Sequence, residues 1–326
     1  MHVPDHYLND PTSVVTGVLA LGALTAAVRQ ARRPTWAWAN PGDETPSGGL
    51  MSLRDRGGAL AFAATTALVF GLQMLNYPVA AGTSGHLLGG ALAASLLGPA
   101  RGILAVSTVL VVQAVAFADG GLTALGTNIL LMAVVATLTG WAVERARPRS
   151  AVGIAGVAGL GGLVSVPVTA AVFVLLYGIG GTVPVPFGEL ASSMLGLHAL
   201  IGLGEGVITA LVVGVVAAWS PGFAAIDARS AAGRPAVFAL GGLAVVAAGL
   251  LSPLASSAPD GLEAAAETVG FSDAARAHAF DTSLLADYGS ATIPSVGLVG
   301  LVGLVACVAV ALAAAPLLRL RRPATA

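Results

Sequence analysis

The feature that most constrains this chain is a series of long apolar stretches with almost no charged residue inside them. A helix needs about 20 consecutive apolar residues to cross the ~30 Å hydrocarbon core of a membrane. Nine stretches approach or exceed that length: residues 13–30, 58–76, 87–100, 102–118, 122–142, 152–178, 190–217, 236–253 and 292–316. They lack the alternating pattern of a membrane β-barrel. The sequence therefore predicts an all-α, polytopic helical membrane protein.

Composition excludes several other classes of protein. Charged residues make up 10% of the 326 residues, whereas a soluble surface needs roughly 25–35%. The chain contains no lysine, so it has neither a P-loop lysine nor a lysine Schiff base. A single cysteine, Cys307, excludes an internal disulfide and a cysteine-based zinc site. The net charge of −1 offers no basic surface to nucleic acid. We expect neither an enzyme nor an organic cofactor.

The arginines predict the orientation in the plasma membrane. Fourteen of the fifteen fall on one side of the nine predicted helices, and Arg276 falls on the other. Because basic residues concentrate in cytoplasmic loops, the N-terminus is predicted outside and the C-terminus in the cytoplasm. The first twelve residues contain no arginine, which argues against a signal peptide and for a retained N-terminus.

Two parts are predicted along the chain. Residues 1–221 form a seven-helix substrate-binding bundle, and residues 236–322 form two further helices around an outside loop, 254–291. That loop carries six dispersed carboxylates: Asp260, Glu263, Glu267, Asp273, Asp281 and Asp287. Without close spacing they define no binding site, so we expect a solvated loop that touches the first part.

The start of the chain predicts a metal site. All five histidines fall on the outer side or in the outer half of a helix. A histidine in second position offers the α-amine of Met1, its own amide nitrogen and its imidazole to one ion, closing two small chelate rings. A further imidazole completes a square of four nitrogens, which suits nickel(II) or copper(II) rather than zinc or magnesium. The competing interpretation is that His2 is a frayed terminal residue.

His86 is the predicted fourth ligand. It follows the glycine-rich run Gly82–Gly85 and precedes an apolar stretch, 87–100, that as a helix would be about 21 Å long. That is shorter than the hydrocarbon core, so His86 should lie in a depression within reach of the N-terminal arm. The alternative is a helix-start histidine that bonds to a carbonyl.

Four further polar residues in or near the predicted helices have open roles. Glu205 and His198 lie seven residues apart in one helix, and Glu205 is either a packing or coupling residue or a proton site. His198 alone is better explained as a satisfied interhelical histidine. Asp119 and Asn128 lie at an outer turn, and either could support a ligand histidine or cap the turn. We favour the cap for Asp119 and leave Asn128 open.

Several segments resemble a known family. Met1-His2-Val3-Pro4-Asp5, Gly82-Thr83-Ser84-Gly85-His86, the run Asp119–Asn128 and the run Gly204–Thr209 are similar to the nickel/cobalt substrate-binding membrane subunits of energy-coupling factor transporters, the CbiM/NikM family. Pro259-Asp260-Gly261-Leu262-Glu263 resembles the small NikN/CbiN-like accessory subunit, here fused to the end of the chain.

The resemblance implies ligands and partners. Met1, His2 and His86 would hold the metal, with nickel(II) favoured over cobalt(II). The partners would be membrane lipid, a transmembrane coupling subunit of the NikQ/CbiQ type and cytoplasmic ATPases of the NikO/CbiO type. Position 6 departs from the family, because His6 stands where glycine is usual; either the turn is altered or His6 adds a nitrogen near the site.

We therefore predict a membrane subunit that captures nickel(II), or failing that cobalt(II), for an ATP-driven importer. Binding should weaken as the pH falls, because metal ligands must be deprotonated. The first alternative is a proton-coupled secondary transporter that uses Glu205 and His198. The second, a membrane zinc hydrolase, ranks low because the chain has no His-Glu-x-x-His motif.

Overall fold

The computed structural model describes residues 1–32, 56–80, 82–145, 150–219, 233–289 and 295–318. Its helices are α1 (Asp10–Ala31), α2 (Arg56–Gln73), α3 (Gly90–Leu97), α4 (Pro99–Ala116), α5 (Leu125–Asn128), α6 (Ala136–Glu144), α7 (Ala151–Gly180), α8 (Phe187–Trp219), α9 (Gly233–Val245), α10 (Gly261–Val269) and α11 (Val296–Ala314). Two short antiparallel strands, β1 (Tyr77–Ala80) and β2 (Thr83–Gly85), form a hairpin between α2 and α3. The predicted all-α class is confirmed.

The long helices identify a multi-pass membrane protein. Within the described ranges, seven helical stretches are long and apolar enough to cross a membrane. One of them runs from Leu125 to Glu144, because a π-helical stretch, Ile129–Val135, joins α5 to α6. On α1, Val14, Val18 and Leu21 are 64–65% exposed. A helix this long with apolar side chains on its outer face is suited to lipid and not to water.

The predicted spans match helices, with two differences. Each of the nine overlaps a helix of the described residues, but α3 begins at Gly90 rather than at residue 87 and is too short to cross a membrane alone. The loop predicted at 254–291 also contains a helix, α10. The division into two parts stays a prediction, since its boundary at Pro221 lies outside the described residues. Most of the loop arginines also lie outside the described residues: Arg33, Arg54, Arg147, Arg149, Arg229, Arg319, Arg321 and Arg322.

Helices α7 and α8 pack through small residues. A Cβ added to Gly162 would lie 3.0 Å from the carbonyl oxygen of Glu205, and one added to Gly202 would lie 2.6 Å from that of Leu163. Glycine therefore lets the two backbones touch, as is usual between membrane helices. This contact fixes the height of Glu205 in the bundle.

Other close contacts fix the remaining helices around the N-terminal end. The hydroxyls of Thr16 on α1 and Thr127 on α5 are 2.7 Å apart. A Cβ on Gly71 of α2 would lie 2.8 Å from the carbonyl oxygen of Ala244 on α9, so these two helices also touch. A Cβ on Gly303 of α11 would meet the Phe70 ring of α2. Helices α9 and α11 thus pack on α2.

Residues 255–289, which we call the cover segment, lie over the N-terminal arm (residues 1–9). The Tyr7 and Phe271 rings meet edge to face with centroids 5.1 Å apart, and the amide of Arg276 donates to the carbonyl of Asp5 at 3.1 Å. Leu262 and Phe271 are buried. The predicted contact with the first part is therefore present on the inner face of this segment, whose apolar side chains pack against the bundle, while Glu263 and Glu267 are exposed.

Candidate metal centre

The N-terminal arm is folded into the protein rather than frayed. Met1 and Val3 are 3% and 0% exposed. The Asn128 side chain pairs with the Val3 backbone in both directions, accepting from its amide at 2.8 Å and donating to its carbonyl at 3.0 Å. The amide of Gly121 also donates to the Val3 carbonyl, at 2.9 Å. Asn128, whose role the sequence left open, therefore fixes the arm.

The Asp5 carboxylate anchors the next turn of the arm. It accepts from the amides of Leu122 and Thr123 at 3.1 and 2.7 Å and from the Thr123 hydroxyl at 2.6 Å. The segment Gly121–Thr123 thus wraps the carboxylate, and a Cβ on Gly121 would collide with it. His6 follows with φ of 75°, a conformation that favours glycine. The His6 carbonyl accepts from the Thr182 hydroxyl at 2.7 Å.

The structure brings Met1, His2 and His86 together. The Met1 α-amine lies 2.6 Å from Nε2 of His86. The His2 and His86 rings stack with centroids 5.0 Å apart and an 11° angle between their planes. Nδ1 of His86 lies 2.9 Å from the Leu87 carbonyl oxygen. Because Nδ1 donates there, Nε2 keeps its lone pair toward the amine, the tautomer that a metal ligand needs.

Although the His2 ring stacks on His86, its Nδ1 is directed toward Asp119. Its Nδ1 lies 3.0 Å from Oδ1 of Asp119, and its Nε2 is buried without a hydrogen-bond partner among the described residues. The other carboxylate oxygen of Asp119 accepts from the Tyr288 hydroxyl at 2.6 Å. The prediction that Asp119 caps the turn is therefore wrong, because both of its oxygens are used by the site and by the cover segment.

Asp260 is the residue that sequence reasoning missed. It lies at the N-cap of α10, where Oδ1 accepts from the amides of Leu262 and Glu263 at 2.7 and 3.0 Å. Oδ2 accepts from the Met1 amine at 2.5 Å and lies 3.7 Å from Nε2 of His86. The Asp-x-x-Glu spacing of a capping box was a visible signal for a helix start at this position, but not for contact with the amine.

Charges at the site favour ionised carboxylates beside a neutral His86. Burial alone would raise the pKa of Asp260, but the Met1 ammonium and His86 hold it well below its usual range. Burial opposes ionisation of Asp119 too, yet His2 and the Tyr288 hydroxyl lower its pKa. Burial, together with the charge of the amine, lowers the pKa of His86. A neutral imidazole is the form that binds metal.

Glu205 supports the loop that carries His86. It is fully buried on α8, and its carboxylate accepts from the amides of Leu88 and Gly89 at 2.5 and 2.9 Å. These bonds, with φ of 79° at Gly89, explain why α3 begins late. His198 lies on the same helix, where its Nδ1 bonds to the Met194 carbonyl one turn earlier at 2.8 Å. The interhelical partner predicted for it is therefore replaced by one in its own helix.

Side chains alone do not make this site. Among the described residues, no group of three His, Cys, Asp or Glu side chains is arranged to hold a metal. The nitrogen-bearing groups that the structure brings together are the Met1 terminal amine and the imidazoles of His2 and His86. Such a set suits an ion that prefers nitrogen ligands in a plane.

Comparison with known proteins identifies the family. Residues 47–223, more than half of the chain, match the family model CbiM, described as the cobalt uptake substrate-specific transmembrane region. The chain belongs to the CbiM family. Residues 234–320 match the PDGLE domain. The N-terminal arm precedes the CbiM match, and Asp260 lies within the PDGLE match. The resemblance to CbiM/NikM proteins fused to a NikN-like part is confirmed.

Relatives of this CbiM-family chain are metal transport proteins. It is 37% identical over 214 residues to a putative metal transport protein of Haloquadratum walsbyi, covering 64% of this chain and 87% of that one. It is 36% identical over 219 residues to the putative fused nickel transport protein NikMN of Archaeoglobus fulgidus, covering 65% and 64%. A crystal structure of a truncated transition metal transporter superposes with a TM-score of 0.53 at 26% identity, covering 65% of this chain and 96% of that one. The proteins that this CbiM-family chain resembles are thus transport proteins rather than enzymes.

Proposed function

We propose that this protein captures nickel(II), or failing that cobalt(II), as a transport substrate in a square of four nitrogens. The donors are the Met1 amine, the His2 amide and imidazole, and Nε2 of His86. The observation that carries the proposal is the 2.6 Å separation of the Met1 amine and His86 Nε2. Two nitrogens at right angles around one ion at ~2.0–2.1 Å lie about 2.8–3.0 Å apart, so the pair needs to move by only a few tenths of an ångström.

Metal binding requires one rearrangement in His2. Its Nδ1 is the ring nitrogen that closes a six-membered chelate with the His2 amide, but it faces Asp119 in this structure. A half-turn of the ring about Cβ–Cγ moves Nδ1 to the opposite side and brings Nε2 closer to Asp119. Asp119 then serves as the carboxylate that receives the N–H of a metal-bound imidazole. The buried, unpartnered Nε2 of His2 supports this role.

Transport itself requires partners. A chain without lysine cannot form a Walker A motif, so the energy would come from cytoplasmic ATPases of the NikO/CbiO type through a NikQ/CbiQ-type coupling subunit. The arginine distribution favours an N-terminus outside the plasma membrane and a C-terminus in the cytoplasm. The nitrogen site would then meet the ion on the outer side.

The metal preference can be measured directly on the purified chain. Nickel(II) should bind at one per chain and give the yellow absorption of a diamagnetic square complex, because four nitrogens in a plane favour that electronic state. Zinc(II), which prefers a tetrahedral site, should bind at least ~10-fold more weakly. A six-coordinate nickel spectrum, or zinc binding as tight as nickel, would contradict the planar site.

Uptake into proteoliposomes separates the ATP-driven scheme from the proton-coupled alternative. With partner subunits and internal ATP, nickel uptake should stop when the partner ATPase loses its Walker A lysine and should resist a protonophore. Glu205→Gln should weaken nickel binding, because it replaces one of the two oxygens that accept from Leu88 and Gly89 with an NH2 group that cannot accept. Uptake should nevertheless continue at raised nickel concentration. Uptake driven by a proton gradient and abolished by Glu205→Gln at every concentration would favour the alternative.

A further inference from the structure

The Asp260 carboxylate is held rigidly before it touches the metal centre. Its Oδ1 caps α10, and the Glu263 carboxylate returns the bond by accepting from the Asp260 amide at 2.8 Å. These bonds complete a capping box, which fixes the rotamer of the capping side chain. Oδ2 is left facing the Met1 amine at 2.5 Å. The carboxylate is 13% exposed, so water does not screen it well.

Contacts on both sides of Asp260 hold its backbone against the bundle. Before it, the Ser84 amide donates to the Pro259 carbonyl at 2.8 Å, and the Ser84 hydroxyl donates to the Ala258 carbonyl at 2.7 Å. After it, a Cβ on Gly261 would lie 2.6 Å from Cδ1 of Ile201 on α8. Ser84 lies two residues before His86, so one short segment positions both His86 and the cover segment that carries Asp260.

The negative charge of Asp260 would also stabilise the bound nickel ion. In the proposed square a dication is bound by one deprotonated amide and three neutral nitrogens, which leaves a net charge of +1. The Met1 and His86 side chains are 2% and 5% exposed, and an uncompensated charge at that depth is costly. Asp119 faces this charge from the His2 side, and Asp260 Oδ2, 3.7 Å from His86 Nε2, faces it from the side of the amine.

We propose that Asp260 is a positioning residue of the nickel site, which sets the N-terminal amine against His86 and balances the charge of the bound ion. The cover segment is therefore needed for nickel capture and not only for transport. This inference depends on the proposed nickel site.

The decisive variant is Asp260→Asn, compared with Glu267→Gln. Asparagine keeps the N-cap acceptor and removes the charge, while Glu267 lies on the exposed side of the same helix. We expect Asp260→Asn to bind nickel about 10- to 100-fold more weakly, as for other lost partners of ligand groups, and Glu267→Gln to bind as the wild type does. If Asp260→Asn does not fold, Asp260→Ser retains the cap and gives the same comparison.

A second measurement reports the position of the amine without metal. Because the chain has no lysine, an amine-directed acylating reagent modifies the α-amine alone. The amine should react at least ~10-fold faster in metal-free Asp260→Asn than in Glu267→Gln, because the arm leaves its pocket more often without its charge partner. A purely structural role in α10 would leave this rate unchanged.

The outcomes distinguish failure of the proposed role of Asp260 from failure of the proposed nickel site. The role of Asp260 would be overturned if Asp260→Asn matched Glu267→Gln in both nickel affinity and amine reactivity. The nickel site itself would stand if acetylation of Met1 still abolished binding. No nickel binding by the unmodified chain would overturn both.

Discussion

Acetylation of the Met1 α-amine should abolish tight nickel binding. The amine lies 2.6 Å from His86 Nε2 and is almost fully buried. Acetylation turns the amine into a neutral amide, which is no longer a neutral donor and would bind the ion only after losing its proton. The acetyl group would also meet His86 Nε2 and Asp260 Oδ2, which lie 2.6 and 2.5 Å from the nitrogen. We expect the dissociation constant to rise at least ~100-fold, beyond the usual effect of losing a group that only supports a ligand. Calorimetric titration of the acetylated and unmodified proteins with nickel measures the change.

One residue added before Met1 gives the same test by a genetic route. The new amine would be displaced from His2, and Met1 would carry an ordinary peptide nitrogen. The control is the same residue added after Ala326, which leaves the α-amine unchanged. Equal nickel affinity in the two extended proteins would refute the amine as a ligand.

His86→Ala should cause a comparable loss of nickel affinity, at least ~100-fold, with the fold retained. His86 makes its own hydrogen bond to the adjacent Leu87 carbonyl, so its removal breaks few contacts that stabilise the bundle. Free imidazole should partly restore binding by entering the space left by the side chain. Nickel titration with and without ~10 mM imidazole would show both effects.

His278→Ala is the matched control for this experiment. His278 belongs to the cover segment, and its Nδ1 accepts from the nearby Phe280 amide at 3.0 Å. Its replacement removes one imidazole but none of the proposed donors. Equal losses in His86→Ala and His278→Ala, or a His86→Ala protein that binds nickel normally, would contradict the proposed square.

The helices could be predicted from sequence because their signal is local. A stretch such as Val296–Ala314 carries its apolar character within itself. The position of His86 near the N-terminal arm could be predicted as well, since the stretch after it was too short to cross the membrane. The position of Gly90 as the first residue of α3 could not, because it depends on Glu205, which lies 117 residues from Leu88 in the chain.

The contacts of the Asp119 and Asp260 carboxylates could not be predicted from the sequence for the same reason. The residues next to Asp119 in the sequence favoured a turn cap, but its side chain accepts from Tyr288, 169 residues away. Asp260 belonged to a recognisable motif, yet nothing local to it indicates an amine 259 residues earlier. Burial against distant parts of the chain determines which polar groups must find each other.

The ion pair between Met1 and Asp260 also implies a delay during biosynthesis. Met1 is synthesised first, and its partner Asp260 follows 259 residues later. At ~5–20 residues per second, the ribosome needs roughly 13 to 52 s to cover that interval. During this time the newly made amine lacks its carboxylate partner, and enzymes that modify nascent N-termini can reach it. In the proposed site, a chain acetylated in that interval would lack its amine ligand.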